Sequence, residues 1–364
     1  MRLRWLALIL SVGVLLGLGA VIPCQAPAGE IPTVPSLKVL PPIRHGSLSV
    51  FPVVSSISHD TQEFLTLEEG LRSGDVVVSE SGVAPLLRPR HRDPVVRPPG
   101  GAQVNQLVLV NNSKQPLILL AGEIVTGGKQ DRVIGKDRLI PAQSDPIDLS
   151  VFCVEPGRWT GPKMSFDALG GVMAAPAVRG KAMADKDQQK VWSEVRNSQA
   201  QAAAQLPSAE AIEVVNGTSS YAKVMQNEDV QRKVDSIAEP VQHDYQSLIK
   251  QLRDRKAVGV VVAVNGEIIW ADIFASTGLL EKYWPKLVRS YAAEALVSRA
   301  RDRAADVKSA QQFLDDLEGR RETVETEPGL YRHTEITGDG FRAFELTSLL
   351  PKTGFDLHMA KMAE

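Results

Sequence analysis

From Gln103 to Val154 the chain runs through short apolar, β-branched segments, each cut off by a turn: QLVLVNN, a Ser-Lys-Gln-Pro turn, LILLAGEIV, a glycine-rich stretch, DRLIP and IDLSVFCV. A parallel sheet needs interleaved helices, and none fits between these segments, so the pattern predicts an antiparallel sandwich or barrel. Just upstream, SLSVFPVV alternates, and its Pro52 demands an edge or end position in a sheet. Residues 61–73 carry Phe64, Leu67 and Leu71 at helical spacing, which predicts a short helix, and Val76 begins the next strand.

Beyond Trp159 the pattern changes. Residues 157–180 are rich in Gly, Pro and Ala without periodicity, and are read as a boundary. Residues 185–205 predict a helix with Val191, Trp192 and Val195 on one side, and residues 227–256 predict a helical stretch broken at Pro240. Two apolar runs joined by Asn265-Gly266 predict a hairpin, because that pair tolerates positive φ at both turn positions. Pro285 is expected to open a long helix with Leu287, Val288, Tyr291, Ala295 and Leu296 as its apolar stripe, and residues 309–317 a shorter one. Residues 329–334 and 340–346 return to β structure around Gly338-Asp339. The expected fold class is α+β: an antiparallel sandwich- or barrel-like unit over residues 43–160, a linker over 161–184, and a helical lobe with its hairpin over 185–350.

The first 28 residues read as a signal peptide, with Arg2 and Arg4 before an apolar run from Trp5 to Ile22, then Pro23 and the small-x-small Ala26-Pro27-Ala28. Residues 29–42 are then an extended mature terminus, and the protein is exported to the periplasm or beyond. Uncleaved, the same run would be an N-terminal membrane anchor. Cleavage removes Cys24 and leaves Cys153 as the sole thiol, so no intramolecular disulfide forms. With 364 residues, 43% hydrophobic and a formal net charge of −2, the chain shows no global signature of nucleic-acid binding. Residues 85–101 hold five prolines with Arg88, Arg90, Arg92 and Arg97, and read as a basic surface loop.

Two segments concentrate functional groups: GEIVTGGKQDRVIG, residues 122–135, and CVEPGRW, residues 153–159. Glycines with Lys129, Gln130 and Arg132 suit close backbone approach to an anion, or simply a bulged turn. Lys129 is followed by a strand and no Lys-Ser or Lys-Thr pair opens a helix, which excludes a Walker loop; the dinucleotide fingerprint is absent too. Glu123 ends an apolar strand. Near Arg132 or Arg158 it would be a paired structural carboxylate; alone in an apolar cleft its pKa would rise and it would serve as general acid or base, as would Glu155. Cys153 sits on the face shared by Leu149 and Val151, where it is either an inert buried thiol or a nucleophile needing a cationic partner. Arg158 beside Trp159 suits a phosphate or carboxylate attached to a planar group, or a closing cation–π stack. No histidine pair or Cys-x-x-Cys stands at ligand spacing, so neither metal nor cofactor is expected.

Gly122-Glu123, then Gly127, Lys129, Gln130 and Arg132, then Cys153, Val154, Glu155, Gly157, Arg158 and Trp159, taken together resemble the ARG and Rhodanese-Phosphatase-superfamily-associated Protein domain. The resemblance extends upstream to FLTLEEGLRSG and downstream to VWSEV, VNGEIIWADIF and the helix after Trp284. It implies no mechanism, but the family's name implies genomic association with ADP-ribosylglycohydrolases and phosphatases, hence nucleotide- or ADP-ribose-related ligands. The resulting expectation is a non-catalytic module binding an anionic small molecule or modified peptide through Glu123, Lys129, Gln130, Arg132, Arg158 and Trp159. The alternatives are a hydrolase with Glu123 or Glu155 as base or Cys153 as nucleophile, and a structural or partner-binding protein.

Overall fold

The computed structural model describes residues 36–81, 105–158, 165–167, 172–252, 256–298, 304–324, 327, 329–350 and 353–364. The expected signal peptide, the first half of the extended terminus, the basic loop and Trp159 lie outside the described residues.

The chain begins with strands β1 (Lys38–Val39), β2 (Ile43–His45) and β3 (Leu48–Ser55), then β4 (Leu65–Thr66) and helix α1 (Leu67–Ser73). The helix expected from residue 61 thus starts later. Thr66 stops it from extending backward, because its side chain caps the Glu69 amide while the Glu69 carboxylate bonds back to the Thr66 N–H. Seven strands follow: β5 (Val76–Glu80), β6 (Gln106–Asn111), β7 (Leu117–Leu119), β8 (Ile124–Gly127), β9 (Arg132–Ile134), β10 (Arg138–Ile140) and β11 (Ile147–Cys153). With β12 (Ser165–Asp167), strands β11-β6-β5-β12-β8-β9 close an antiparallel barrel. Val78, Leu107, Leu109, Val125, Ile134, Leu149, Val151 and Phe166 fill one apolar cluster there. LILLAGEIV is not one strand: a turn at Gly122 (φ 95°) sends β7 into a separate sheet with β10 and β4.

Residues 161–184, expected as linker, include α2 (Pro176–Gly180) and run into a π-helical turn, Lys181–Asp185. Helices α3 (Gln188–Ala204), α4 (Ala209–Asn216), α5 (Tyr221–Gln226) and α6 (Glu228–Gln251) lead to the hairpin of β13 (Lys256–Val264) and β14 (Glu267–Phe274). Asn265 and Gly266 both take positive φ, 52° and 75°, as the hairpin requires. Helices α7 (Thr277–Val297) and α8 (Val307–Asp315) and strands β15 (Arg320–Val324), β16 (Tyr331–Gly338), β17 (Phe341–Ser348) and β18 (Asp356–Ala363) complete the chain.

Strands β1-β3-β13-β14-β18-β17-β16-β15, with β2 beside β3, form a nine-stranded antiparallel sheet. The architecture is α+β, as expected. Strand β3 belongs to this sheet, not to the barrel, and lies between β1 and β13, so Pro52 is internal. A strand residue directs its N–H and C=O to one side; the Pro52 carbonyl accepts the Leu40 amide, so its missing N–H falls where short β1 ends. On one face Val50, Val260, Val262 and Trp270 pack with Val241, Tyr245, Tyr283 and Leu287 of α6 and α7. On the other, Phe51, Val53, Val261 and Ala271 meet Ala310 and Leu314 of α8.

Neither Pro240 nor Pro285 acts as expected. Both lie inside unbroken helices, and α7 starts at Thr277 because Ser276 caps its Leu279 amide. The carbonyl that Pro240 cannot bond belongs to Ser236, an exposed residue one turn earlier, and burial of the opposite stripe keeps α6 continuous. The sequence pattern carries no strand signal over β18, yet it pairs with both β14 and β17 in the middle of the sheet.

Candidate functional site

The two motif segments meet through a backbone ladder, Cys153 of β11 standing opposite Arg132 of β9. The β8–β9 turn between them can only be glycine. Gly127 and Gly128 have φ of 124° and 50°, and a Cβ on Gly128 would sit 2.3 Å from the Phe166 ring and 2.6 Å from Glu80 Oε1. The closeness serves Glu80, which accepts the Lys129 amide at 2.8 Å and lies 3.9 Å from the Arg132 guanidinium.

From this turn a polar network spreads inward. The Asp131 amide donates to Glu155 Oε2 at 3.2 Å, Gln130 Nε2 to the Glu155 carbonyl at 3.2 Å, and the Val154 amide to the Asp131 carbonyl at 3.0 Å. Asp131 accepts the Gly127 amide and, at 2.7 Å, the hydroxyl of Ser220, the N-cap of α5. Arg132 Nη1 donates to the Gln130 carbonyl at 2.6 Å. Arg158 closes the arrangement, donating to Glu155 Oε2 at 2.8 Å and to the Gly128 carbonyl at 3.4 Å. Glu80, Asp131, Glu155, Gln130 and Arg132 are buried, whereas Lys129 and Arg158 stay partly exposed. Burial pulls the Arg132 pKa below its ordinary value, against the Cys153, Glu80, Asp131 and Glu155 groups that favour its charge.

Cys153 lies in the same place as a buried free thiol. Burial pushes its pKa up despite the amide of Glu155 and the nearby Arg132, which lowers the thiolate fraction a nucleophile needs. Its backbone is gripped at both ends by the Gln188 side chain, 2.8 and 2.9 Å away.

Glu123 does not join this network. It sits at the far end of β8, where Lys286 of α7 reaches Oε1 at 2.5 Å and the Leu120 amide reaches Oε2 at 2.7 Å. The Tyr283 ring lies under the ammonium, 4.4 Å from its centre. Glu123 is thus a paired carboxylate with a helical lysine as partner, not Arg132 or Arg158; an ammonium arriving from over 160 residues away leaves no local signal in the sequence.

A second buried constellation has no motif-level signature in the sequence. His358 of β18 bridges Asp137 (Nδ1 to Oδ2, 2.6 Å) and Asp272 of β14 (Nε2 to Oδ1, 3.0 Å). Asp272 also accepts Arg179 of α2 at 2.9 Å and the Tyr291 hydroxyl, and Asp137 accepts the Ala121 amide at 2.7 Å. With carboxylates at both ring nitrogens, both must donate, so the imidazole is a cation. Burial alone would lower its pKa, but Asp137 and Asp272 raise it above the ordinary value. Burial likewise pushes the two aspartates up, and His358 and Arg179 overcome it, holding both below the usual carboxylate range. The one clue was a charge inside the apolar run of WADIF; His358 carried none.

Among the described residues no group of three or more His, Cys, Asp or Glu side chains is placed to hold a metal ion, and no helix is long and apolar enough to cross a membrane. Searches of curated proteins and of solved structures found no match. The model of the ARG and Rhodanese-Phosphatase-superfamily-associated Protein domain matches residues 36–360, nearly the whole chain. The strand-end motifs, their shared network and this match agree: the chain belongs to the ARG and Rhodanese-Phosphatase-superfamily-associated Protein domain family.

Proposed function

We propose that this is an exported, non-catalytic module that binds an anionic small molecule or modified peptide at the rim formed by the Gly128-Lys129 turn and Arg158. The observation that carries the reading is an asymmetry of burial. The three carboxylates of the network, Glu80, Asp131 and Glu155, are buried, while the cations Lys129 and Arg158 remain partly open to solvent on adjoining turns. An approaching anion therefore meets positive charge first. Glu155, engaged by the Asp131 amide and by Arg158, has the surroundings of a structural carboxylate, and the raised pKa of Cys153 speaks for an inert thiol. Export rests on the apolar run from Trp5 and the Ala-Pro-Ala after it. The family's name supports nucleotide- or ADP-ribose-related ligands as the first to try.

Calorimetric titration with ADP-ribose and a panel of sugar phosphates tests the proposal. Saturable binding is expected, weakened about tenfold, or about 1.4 kcal/mol, in Arg158→Gln. Folded protein that stays silent across the panel sinks it. Turnover abolished in Glu155→Gln or Cys153→Ser at unchanged Tm would replace it with the hydrolase reading.

A further inference from the structure

Two consecutive residues of the β9–β10 connection, Lys136 and Asp137, act on two histidines that share one row of the nine-stranded sheet. In that row His333 of β16 stands opposite Leu346 of β17, which stands opposite His358 of β18. Directly opposed residues point to the same face of a sheet, and β10 touches β16 beside them. The two ends of the row are built in opposite ways. His358 is a cation clamped by Asp137 and Asp272. His333 is 2% exposed, and its Nε2 has no hydrogen-bond partner.

Among the charges acting on His333, Lys136 weighs most and opposes protonation. Lys186, just beyond the π-helical turn, opposes it too, while Asp137 and Glu335 favour it. Asp137 is engaged by His358, however, and Glu335 by Lys186 at 2.5 Å. The neighbouring strands offer no charge, only Phe344 beside the ring and Val324 of β15 and Leu346 of β17 opposite it. Burial first, then Lys136, hold the imidazole neutral, with its pKa pulled down to about 4. Once protonated, the ring would face Lys136 with a charge of the same sign and bury an N–H that has no acceptor.

We propose that mild acid opens this barrel–sheet seam from its His333 end, while the Asp137–His358 contact holds the other end as a pivot. A ring released to water takes up its proton near the ordinary pH 6.5, whereas the closed seam resists down to about pH 4. Closure is therefore fully favoured above pH 6.5 and loses ground as pH falls through that window. The pivot keeps its charges throughout, because Asp137 is held below the usual carboxylate range and His358 above the usual imidazole range.

Hydrogen exchange of the full chain at pH 7 and 4.5, corrected for intrinsic amide rates and read by mass spectrometry, tests the device. Residues 132–140 and 331–338 should lose protection by up to about fiftyfold, the ratio set by proton uptake at pH 6.5 in the open form and at about 4 in the closed one. Residues 356–363 should keep theirs. In His333→Gln the loss should vanish. In Lys136→Gln, a change at a partly exposed position that should spare the fold, it should shrink, and the His333 ring followed by NMR should titrate at a higher pH. The Lys136 variant decides the question if His333→Gln does not fold. Protection unchanged by pH, an equal loss over residues 356–363, or a His333 titration that Lys136→Gln leaves in place overturns the proposal.

Discussion

Placing a methyl group on Gly128 is the sharpest single-residue test of the motif turn. Gly128→Ala meets both a positive φ of 50° and a ring carbon 2.3 Å away, so a loss of about 1–3 kcal/mol is expected, read as a lower urea midpoint with unchanged slope. Lys286→Met leaves Glu123 buried without its counter-charge; breaking such a pair costs about 3–5 kcal/mol, and the double variant that also carries Glu123→Gln should recover part of it. His358 gives the pH dependence. Its pKa is raised on folding, so its contribution is complete below pH 6.5 and lost as pH rises through the higher folded value. Asp137 and Asp272 are shifted down, so theirs is complete above pH 3.8 and lost as acid protonates them in the fold. The stability these three groups contribute is therefore complete between these limits and falls on both sides, superposed on a loss below pH 6.5 from His333, whose burial pulls its pKa down to about 4; in His358→Gln the alkaline limb of Tm should flatten, and an alkaline limb that persists unchanged would place its origin elsewhere.

Among the elements, α6 and β18 show how packing overrides local preference. A proline in a helix interior costs about 3 kcal/mol relative to alanine, yet α6 runs through Pro240 because Val230, Val234, Ala238, Val241 and Tyr245 bury one continuous stripe. Pro240→Ala should accordingly raise Tm, since it restores a backbone bond without touching that stripe; a fall would show that Pro240 itself packs usefully. Strand β18 is short of strong strand formers, LHMAKMA, and earns its place through ladders to β14 and β17 and through His358. Cutting the chain before Asp356 exposes two strand edges and removes the His358 cation between Asp137 and Asp272, so the truncated protein should lose its cooperative transition in circular dichroism.

At the scale of the molecule, the Asp137–His358–Asp272–Arg179 chain joins the β9–β10 connection, the nine-stranded sheet and α2 into one dry link. A single unfolding transition, with fluorescence and circular dichroism coincident, follows from it. The sequence alone determined what depends on neighbours in the chain: an antiparallel, sandwich- or barrel-like unit from its short turn-separated runs, and the hairpin from Asn265-Gly266. Only the tertiary structure decided what depends on partners far along it. Lys286 for Glu123, Glu80 and Ser220 for the glycine turn, and two aspartates for His358 are side-chain pairings between residues dozens to hundreds of positions apart. Local propensity and periodicity act over one or two turns, whereas burying a charge is settled by whichever counter-charge the finished fold brings within hydrogen-bond reach.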